Sequence, residues 1–198
     1  MLKIGLTGNM ASGKSTVAKV FETFDIPVFY TDPQARDLYK ESSVKEAVIK
    51  RFGEKVSTVR GDINLKVLAE IIFNDKEALT YINDLIHPLV RKRFSRWCEK
   101  QKRKPYVIQE SALIYETGLN TTFDAVILVY APTKLLIERI IDRDSISKED
   151  AIKRLALQMP QEEKIKKADY LILNDNSQLV IPSLWNIHLK LSNQIETA

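Results

Sequence analysis

Apolar and polar positions alternate along the chain in two rhythms, and each predicts a different element. Leu2 to Thr7 is a short apolar run that reads as a strand. A glycine-containing loop, Gly8 to Gly13, follows it. From about Lys14 to Phe24 the period becomes helical, with Val17, Val20, Phe21 and Phe24 on one face. Pro27 to Tyr30 is a second short strand that ends at Thr31-Asp32-Pro33, where Thr31 or Asp32 is expected to cap a helix begun by Pro33. From Gln34 to Lys104 the pattern is mostly helical and charged, broken between Gly53 and Asp62. Its longest stretch, Lys76 to Lys104, carries Leu79, Ile82, Leu85, Ile86, Leu89, Val90, Phe94 and Trp97 at helical spacing. His87-Pro88 is expected to begin a turn of that stretch, and Lys100 to Lys104 to form its solvated basic end, which complements the helix dipole.

Pro105 to Gln109 and Ala125 to Tyr130 are rich in Val and Ile, as strands buried on both faces should be. One helix is predicted after Pro132 and another from Ser147 to Met159. Tyr170 to Leu173 reads as the last strand. A closing helix, roughly Gln178 to Gln194, places Leu184, Trp185, Ile187 and Leu191 in the core. Strands separated by helices predict an α/β fold, a five-stranded parallel sheet flanked by helices. The helical stretches 34–104 and 133–168 are too long for simple crossovers and predict an acceptor-binding lobe and a lid. The expected organisation is one domain over 1–198, with its core at about 1–33, 105–132 and 169–198.

Composition narrows the classes. The chain has 198 residues, 44% hydrophobic and 28% charged, with a formal net charge of +4, ordinary for a globular protein. The surplus suits an anionic ligand and also weak nucleic-acid contact; a slightly basic solvated surface explains it more simply, so no nucleic-acid partner is expected. Cys98 is the only cysteine, which excludes an intramolecular disulfide and a cysteine metal cluster and predicts a half-buried helical thiol. No apolar run approaches the roughly 20 residues of a membrane span, and the N-terminus opens directly into a strand pattern rather than a signal peptide. A cytoplasmic protein without membrane attachment is expected.

Gly8-Asn9-Met10-Ala11-Ser12-Gly13-Lys14-Ser15, followed by Thr16, fits the phosphate-loop pattern G-x-x-x-x-G-K-[ST]. It sits where the chemistry needs it, after an apolar strand and before an amphipathic helix. The end glycines allow a tight turn and close approach to phosphate oxygens. Backbone N–H groups and the helix N-terminus then face the anion. Lys14 is expected at the β- and γ-phosphates, and the Ser15 hydroxyl on magnesium. No guanine-reading Asn/Thr-Lys-x-Asp element is present, which argues against a GTPase. Glu110, at the end of the third strand, is either a carboxylate holding a magnesium water or a strand-end charge facing solvent.

Asp32 follows the second strand, at the edge of the sheet where such folds bind ligands. There it can take the proton of an incoming hydroxyl, or it can simply cap a helix. Arg139 and Arg143 lie four apart on one helix face, with Arg154 on the next; on a lid they would neutralise the transferring phosphoryl group. The alternative is surface pairing with Glu138 or Asp142. His87 lies in the lobe expected to hold acceptor, whereas His188 has no such context.

Several separated motifs resemble one family, dephospho-CoA kinase, which transfers the γ-phosphate of ATP to the ribose 3′-hydroxyl of dephospho-CoA in the last step of coenzyme A biosynthesis. Ile4-Gly5-Leu6-Thr7-Gly8 leading into Ser12-Gly13-Lys14-Ser15-Thr16 is similar to its opening. Asp32 with Ala35-Arg36, and His87-Pro88-Leu89-Val90-Arg91, match its Asp-x-x-Ala-Arg and His-Pro-x-x-Arg elements. Leu113-Ile114-Tyr115-Glu116 with Gly118-Leu119 resembles the stretch after its third strand. Arg139 and Arg143, then Arg154, Gln158 and Met159, match its lid, and Asn174 matches a residue near the adenine.

The resemblance implies ATP and dephospho-CoA as partners and Mg2+ as cofactor. It implies Asp32, Lys14 and Arg139 as catalytic residues. Gly8, Ala11, Ser12, Gly13, Lys14, Ser15, Thr16, Arg143 and Asn174 would bind ATP; Asp32, Arg36, His87, Arg91 and Leu113 would bind the acceptor. The chain departs from the family at Asn9-Met10-Ala11 (usually Gly-Ile-Gly), Tyr30 (usually a first aspartate), Ala112 (usually proline) and Leu136 (usually glutamine). The rival readings are another small-molecule kinase and a nucleotide-binding regulator that transfers nothing. Oligomeric state is left open.

Overall fold

A computed structural model describes residues 1–193. In chain order the elements are β1 (Leu2–Thr7), α1 (Lys14–Thr23), β2 (Val28–Tyr30), α2 (Thr31–Leu38), α3 (Ser42–Phe52), α4 (Leu65–Asn74), α5 (Lys76–Glu99), β3 (Tyr106–Glu110), β4 (Ala125–Tyr130), α6 (Thr133–Asp144), α7 (Lys148–Leu155), α8 (Gln161–Ile165), β5 (Tyr170–Leu173) and α9 (Ile181–Asn193). Single 3₁₀ turns lie at Glu54–Val56 and Leu119–Thr122. The chain forms two compact units, Thr31–Glu99 being one and the residues before and after it the other. No described helix is long and apolar enough to cross a membrane.

The larger unit is built on a five-stranded parallel sheet in the order β2-β3-β1-β4-β5. A strand with neighbours on both sides and helices over both faces has no solvated side, which is why β3 is buried throughout and β4 nearly so. Alternation then assigns the two faces. Ile4, Leu6, Tyr106, Ile108, Ile127 and Val129 meet Val17, Ala18 and Phe21 of α1 and Leu184, Ile187 and Leu191 of α9. Val126 points the other way, to Ile114 and Tyr115, with Leu119, Phe123 and Met159 packed beside them.

Gly5 shares this second face, where its role is packing. A Cβ there would lie 2.9 Å from both Ile114 Cδ1 and Phe123 Cδ2. Trp185, expected in the core, is largely exposed; its ring packs edge-on against Phe24 at 5.2 Å, covering the end of α1 from outside. His188 acquires a context that the sequence did not offer, with Nδ1 2.8 Å from the Tyr106 hydroxyl. The segment 133–168, expected as a lid, belongs to this unit. Its second helix is shorter than expected: Ser147 caps α7 by accepting the Asp150 amide, and the helix stops at Leu155.

The smaller unit is helical. Ala78, Ile82, Ile86, Val90, Phe94 and Cys98 form the buried stripe of α5, so Cys98 is fully rather than half buried. That stripe carries the helix through Pro88, which withdraws one ladder donor; His87-Pro88 lies within α5, in the long helical stretch that the sequence predicted. Asn64 and Asp75 cap α4 and α5 through their side-chain oxygens. Arg93 of α5 reaches Asp37 at 2.9 Å and Glu41 at 2.5 Å, clamping α2 and the turn after it. The start of α2 differs from expectation. It begins at Thr31, so Asp32 lies in the first turn rather than capping, and Pro33 is tolerated there because first-turn N–H groups have no helical partner.

The basic run 100–104 follows α5 instead of ending it. In the larger unit Lys104 pairs with Asp25, joining the approach to β3 to the end of α1. Gln194, the last residue of the expected closing helix, lies outside the described residues.

Gly5→Val is expected to destabilise the fold by about 1–3 kcal/mol, the usual cost of overpacking, with thermal unfolding as the measurement. An unchanged melting temperature would mean that Ile114 and Phe123 yield freely.

Candidate active site

The loop Gly8 to Ser15 joins β1 to α1, the central strand to a helix whose N-terminus faces the loop. Its two pattern glycines are fixed by contact as well as by dihedral angle. Gly8 has φ 153°, and a Cβ would lie 2.3 Å from the Val129 carbonyl oxygen. Gly13 has φ 95°, and a Cβ would lie 2.2 Å from Asn174 Nδ2. Ala11 also adopts a left-handed conformation, with φ 62°. For a residue with a Cβ that costs roughly 1–2 kcal/mol, so the surroundings must hold the loop in shape.

They do so from several elements. Asn174, just after β5, donates from Nδ2 to the Ser12 carbonyl at 2.8 Å. Arg139 of α6 donates to the Ala11 carbonyl at 3.3 Å and to the Asn174 carbonyl and Asn176 Oδ1 at 3.0 and 2.9 Å. Gln158 Oε1 accepts the Met10 amide at 2.7 Å, and the Met159 carbonyl accepts from Asn9 Nδ2 at 3.2 Å. Inside the loop the Asn9 carbonyl accepts from the Ser12 amide at 3.1 Å and from Lys14 Nζ at 3.2 Å. Lys14 opens α1 and is nearly buried, while Ser15 and Thr16 beside it are exposed. The hydroxyls of Thr7, just before the loop, and Ser12, within it, are wholly buried and have no hydrogen-bond partner among the described residues.

Glu110 ends β3 beside Leu6, just upstream of the loop. It is 6% exposed, so the solvent-facing alternative is wrong. Burial pushes the Tyr30 hydroxyl up to about 12, and the charges of Glu22 and Glu110 push the same way. Tyr30 therefore stays a neutral phenol and supplies no substitute for the aspartate common in that place. Among the described residues no group of three or more His, Cys, Asp or Glu is arranged to hold a metal. An ion carried on nucleotide phosphates needs only one or two protein groups, and the exposed Ser15 hydroxyl and the buried Glu110 carboxylate fit that requirement.

The arginines expected on a lid separate. Arg139 reaches the loop, whereas Arg143 and Arg154 both turn to Asp144: Arg143 at 2.8 and 3.0 Å, Arg154 at 2.8 Å. The pairing partner is thus Asp144 rather than Glu138 or Asp142. The Arg143 guanidinium, with Arg154 beyond it, holds the Asp144 carboxyl below the usual carboxylate range. A cleft of about 430 Å3 in the same unit is lined by Asn9, Thr133, Ile137, Leu155, Gln158 and Gln161, among others. Leu113, also in this unit, is exposed.

The remaining predicted acceptor residues belong to the smaller unit. Asp32 and Arg36 stand four apart and exposed on α2. His87 and Arg91 stand four apart on α5, where burial first and Arg91 second push the His87 imidazole down, keeping it neutral near pH 7. Sequence reasoning gave no role to Asn9, Glu116, Lys164 or Asn176. The signals available were an Asn where glycine is usual, at position 9, and the place of Glu116 in the stretch that resembles the family after its third strand.

The dephospho-CoA kinase family model matches residues 2–179. A dephospho-CoA kinase of Fusobacterium nucleatum is 38% identical over 88% of this chain and 90% of its own length. Among solved structures, a Thermus thermophilus protein is 30% identical, with a TM-score of 0.81 over 98% of this chain and 97% of its own. The dephospho-CoA kinase of Campylobacter jejuni is 28% identical, with a TM-score of 0.72 over 97% and 98%. A tethered phosphate loop at the edge of a β2-β3-β1-β4-β5 sheet, and a match running through both units, make this chain a P-loop kinase belonging to the dephospho-CoA kinase family.

Proposed function

We propose that this chain transfers the γ-phosphoryl group of ATP to the ribose 3′-hydroxyl of dephospho-CoA, yielding coenzyme A and ADP. The observation that carries the reading is the phosphate loop held open by Arg139, Asn174 and Gln158 within a chain that matches the family over residues 2–179. Backbone N–H groups of the loop and the N-terminus of α1 receive the phosphates. Lys14 leaves the Asn9 carbonyl for the β- and γ-oxygens. Arg139, already at the loop, neutralises charge on the transferring group, with Arg143 and Asn174 also on the ATP side. Ser15, and Glu110 through a water, would hold magnesium, which would neutralise phosphate charge. Asp32 accepts the proton of the 3′-hydroxyl as the new O–P bond forms and the bond to the ADP oxygen breaks. Arg36, His87, Arg91 and Leu113 bind the acceptor. A cytoplasmic setting is part of the proposal.

Coupled measurement of ATP consumption tests the reading: turnover with dephospho-CoA is expected. Turnover confined to a different small-molecule acceptor would replace the substrate and keep the kinase.

Lys14→Ala should keep the far-UV circular dichroism of the parent and lower kcat by about 10²-fold or more, the scale of one lost charge-stabilising donor. Near-normal kcat would remove Lys14 from the chemistry. Asp32→Asn keeps the shape of a residue that is exposed in α2. It should bind ATP normally and lose transfer by about 10²–10⁴-fold, the range of general-base assistance, read by single-turnover transfer beside nucleotide titration. Unchanged transfer would rule out Asp32 as the base, and lost ATP binding would move it to the magnesium site.

A further inference from the structure

Lys164 is wholly buried, an uncommon position for a lysine, and no step of the proposed reaction uses it. Its Nζ lies 2.8 Å from Glu116 Oε1 and donates to the Ala112 carbonyl at 3.3 Å. Burial pushes its ammonium down, and Glu116 offsets part of that shift. The same Glu116 oxygen accepts the Met159 amide at 2.9 Å. Met159 lies in the strap 156–160, which joins α7 to α8 and touches the loop twice, through its own carbonyl to Asn9 and through Gln158 to Met10. One face of the strap is therefore tied to the segment after β3 and the other to the loop residues preceding left-handed Ala11.

Two considerations favour positioning over plain stability. Replacing a buried ion pair with apolar residues of similar volume is often neutral or stabilising, so stability alone does not account for a lysine here. In addition, the loop carries Asn9 and Ala11 where glycines are usual, and the Asn9 side chain is itself one end of the tether.

We propose that Lys164 and Glu116 are positioning residues for the phosphate loop: they fix the Met159 peptide, and the strap in turn holds Asn9 and Met10 so that the loop keeps its phosphate-receiving shape. The inference rests on the reading that this loop binds ATP.

Two double variants separate the positioning role from the structural one. Glu116→Leu/Lys164→Met removes both charges and the acceptor of the Met159 amide. Glu116→Gln/Lys164→Met removes the charges but keeps a side-chain oxygen for that amide. The first is expected to fold, to weaken ATP binding by about 3- to 10-fold, the scale of one lost hydrogen bond, and to leave the KM for dephospho-CoA unchanged. The second keeps that acceptor but loses the Lys164 contact that fixes it, and should recover only part of the loss; full recovery to parent affinity would remove Lys164 from the positioning role. Asn9→Gly/Gln158→Leu, which cuts the strap at the loop, should cause a similar loss that does not add to the first.

Parent-like ATP affinity in Glu116→Leu/Lys164→Met, or full additivity with the strap variant, would overturn the proposal. Should that variant not fold, Glu116→Asp decides. It keeps a carboxylate for Lys164 but shortens it by a methylene; weakened ATP affinity with an intact fold is expected, and parent-like affinity refutes the inference. A parent chain that binds no ATP removes the functional reading along with the inference, whereas unchanged affinity in the variants removes the inference alone.

Discussion

The N–H groups that a loop offers to phosphate cannot also fix its shape, and the internal bond from the Ser12 amide to the Asn9 carbonyl spans only part of the loop. The rest of the molecule has to do that. Two glycines are set by close approach, Gly8 to a β4 carbonyl and Gly13 to Asn174, and a third left-handed position is filled by Ala11. The bonds that hold the loop are made at its periphery. Arg139 and Asn174 take the Ala11 and Ser12 carbonyls, while Gln158 and Met159 take Met10 and the Asn9 side chain. The donors and acceptors come from α6, the end of β5 and the strap, which lie far apart in sequence.

The sheet brings those elements to one edge. In a parallel sheet every strand ends on the same side, so β1 runs into the loop while β3 delivers Glu110 and β5 delivers Asn174 there. The register sets Leu6 between Glu110 and Ile127, so a shift by one residue would turn Glu110 to the opposite face. Gly5 lets the Ile114 and Phe123 cluster sit close over β1. The segment that carries Glu116 begins in that cluster, and packing at mid-strand thereby reaches the loop at the strand's end.

The strands were legible in the sequence because burial on both faces leaves an unbroken apolar run, and the loop because its spacing is rigid. Helix boundaries were less so. Pro33 read as the start of a helix, yet it falls in the first turn of one that begins at Thr31, where its missing N–H costs nothing, and the long stretch through Pro88 ends at Glu99, short of its expected basic end. Trp185 shares the helical period of its core neighbours but lies over the edge of the hydrophobic layer, a distinction that periodicity cannot make. The tethers were illegible for a different reason. Asn174 and Ser12 are 162 positions apart, and a single hydrogen bond across such a distance leaves no local pattern. Arg143 matched a motif, but a motif does not reveal that Asp144 is the nearer partner.

The two ionic clusters near the site differ in kind. Arg143 and Arg154 share Asp144 at the surface, where exposed pairs are worth little, about 0–1 kcal/mol. A polyphosphate can compete for such arginines at small cost. Lys164 is wholly buried and Glu116 only slightly exposed. Breaking one partner of a buried pair is expensive even when the pair adds little net stability. Under the proposed function that asymmetry would suit two tasks: the surface cluster would release its arginines readily, while the Lys164–Glu116 pair would keep the Met159 peptide in place against the loop.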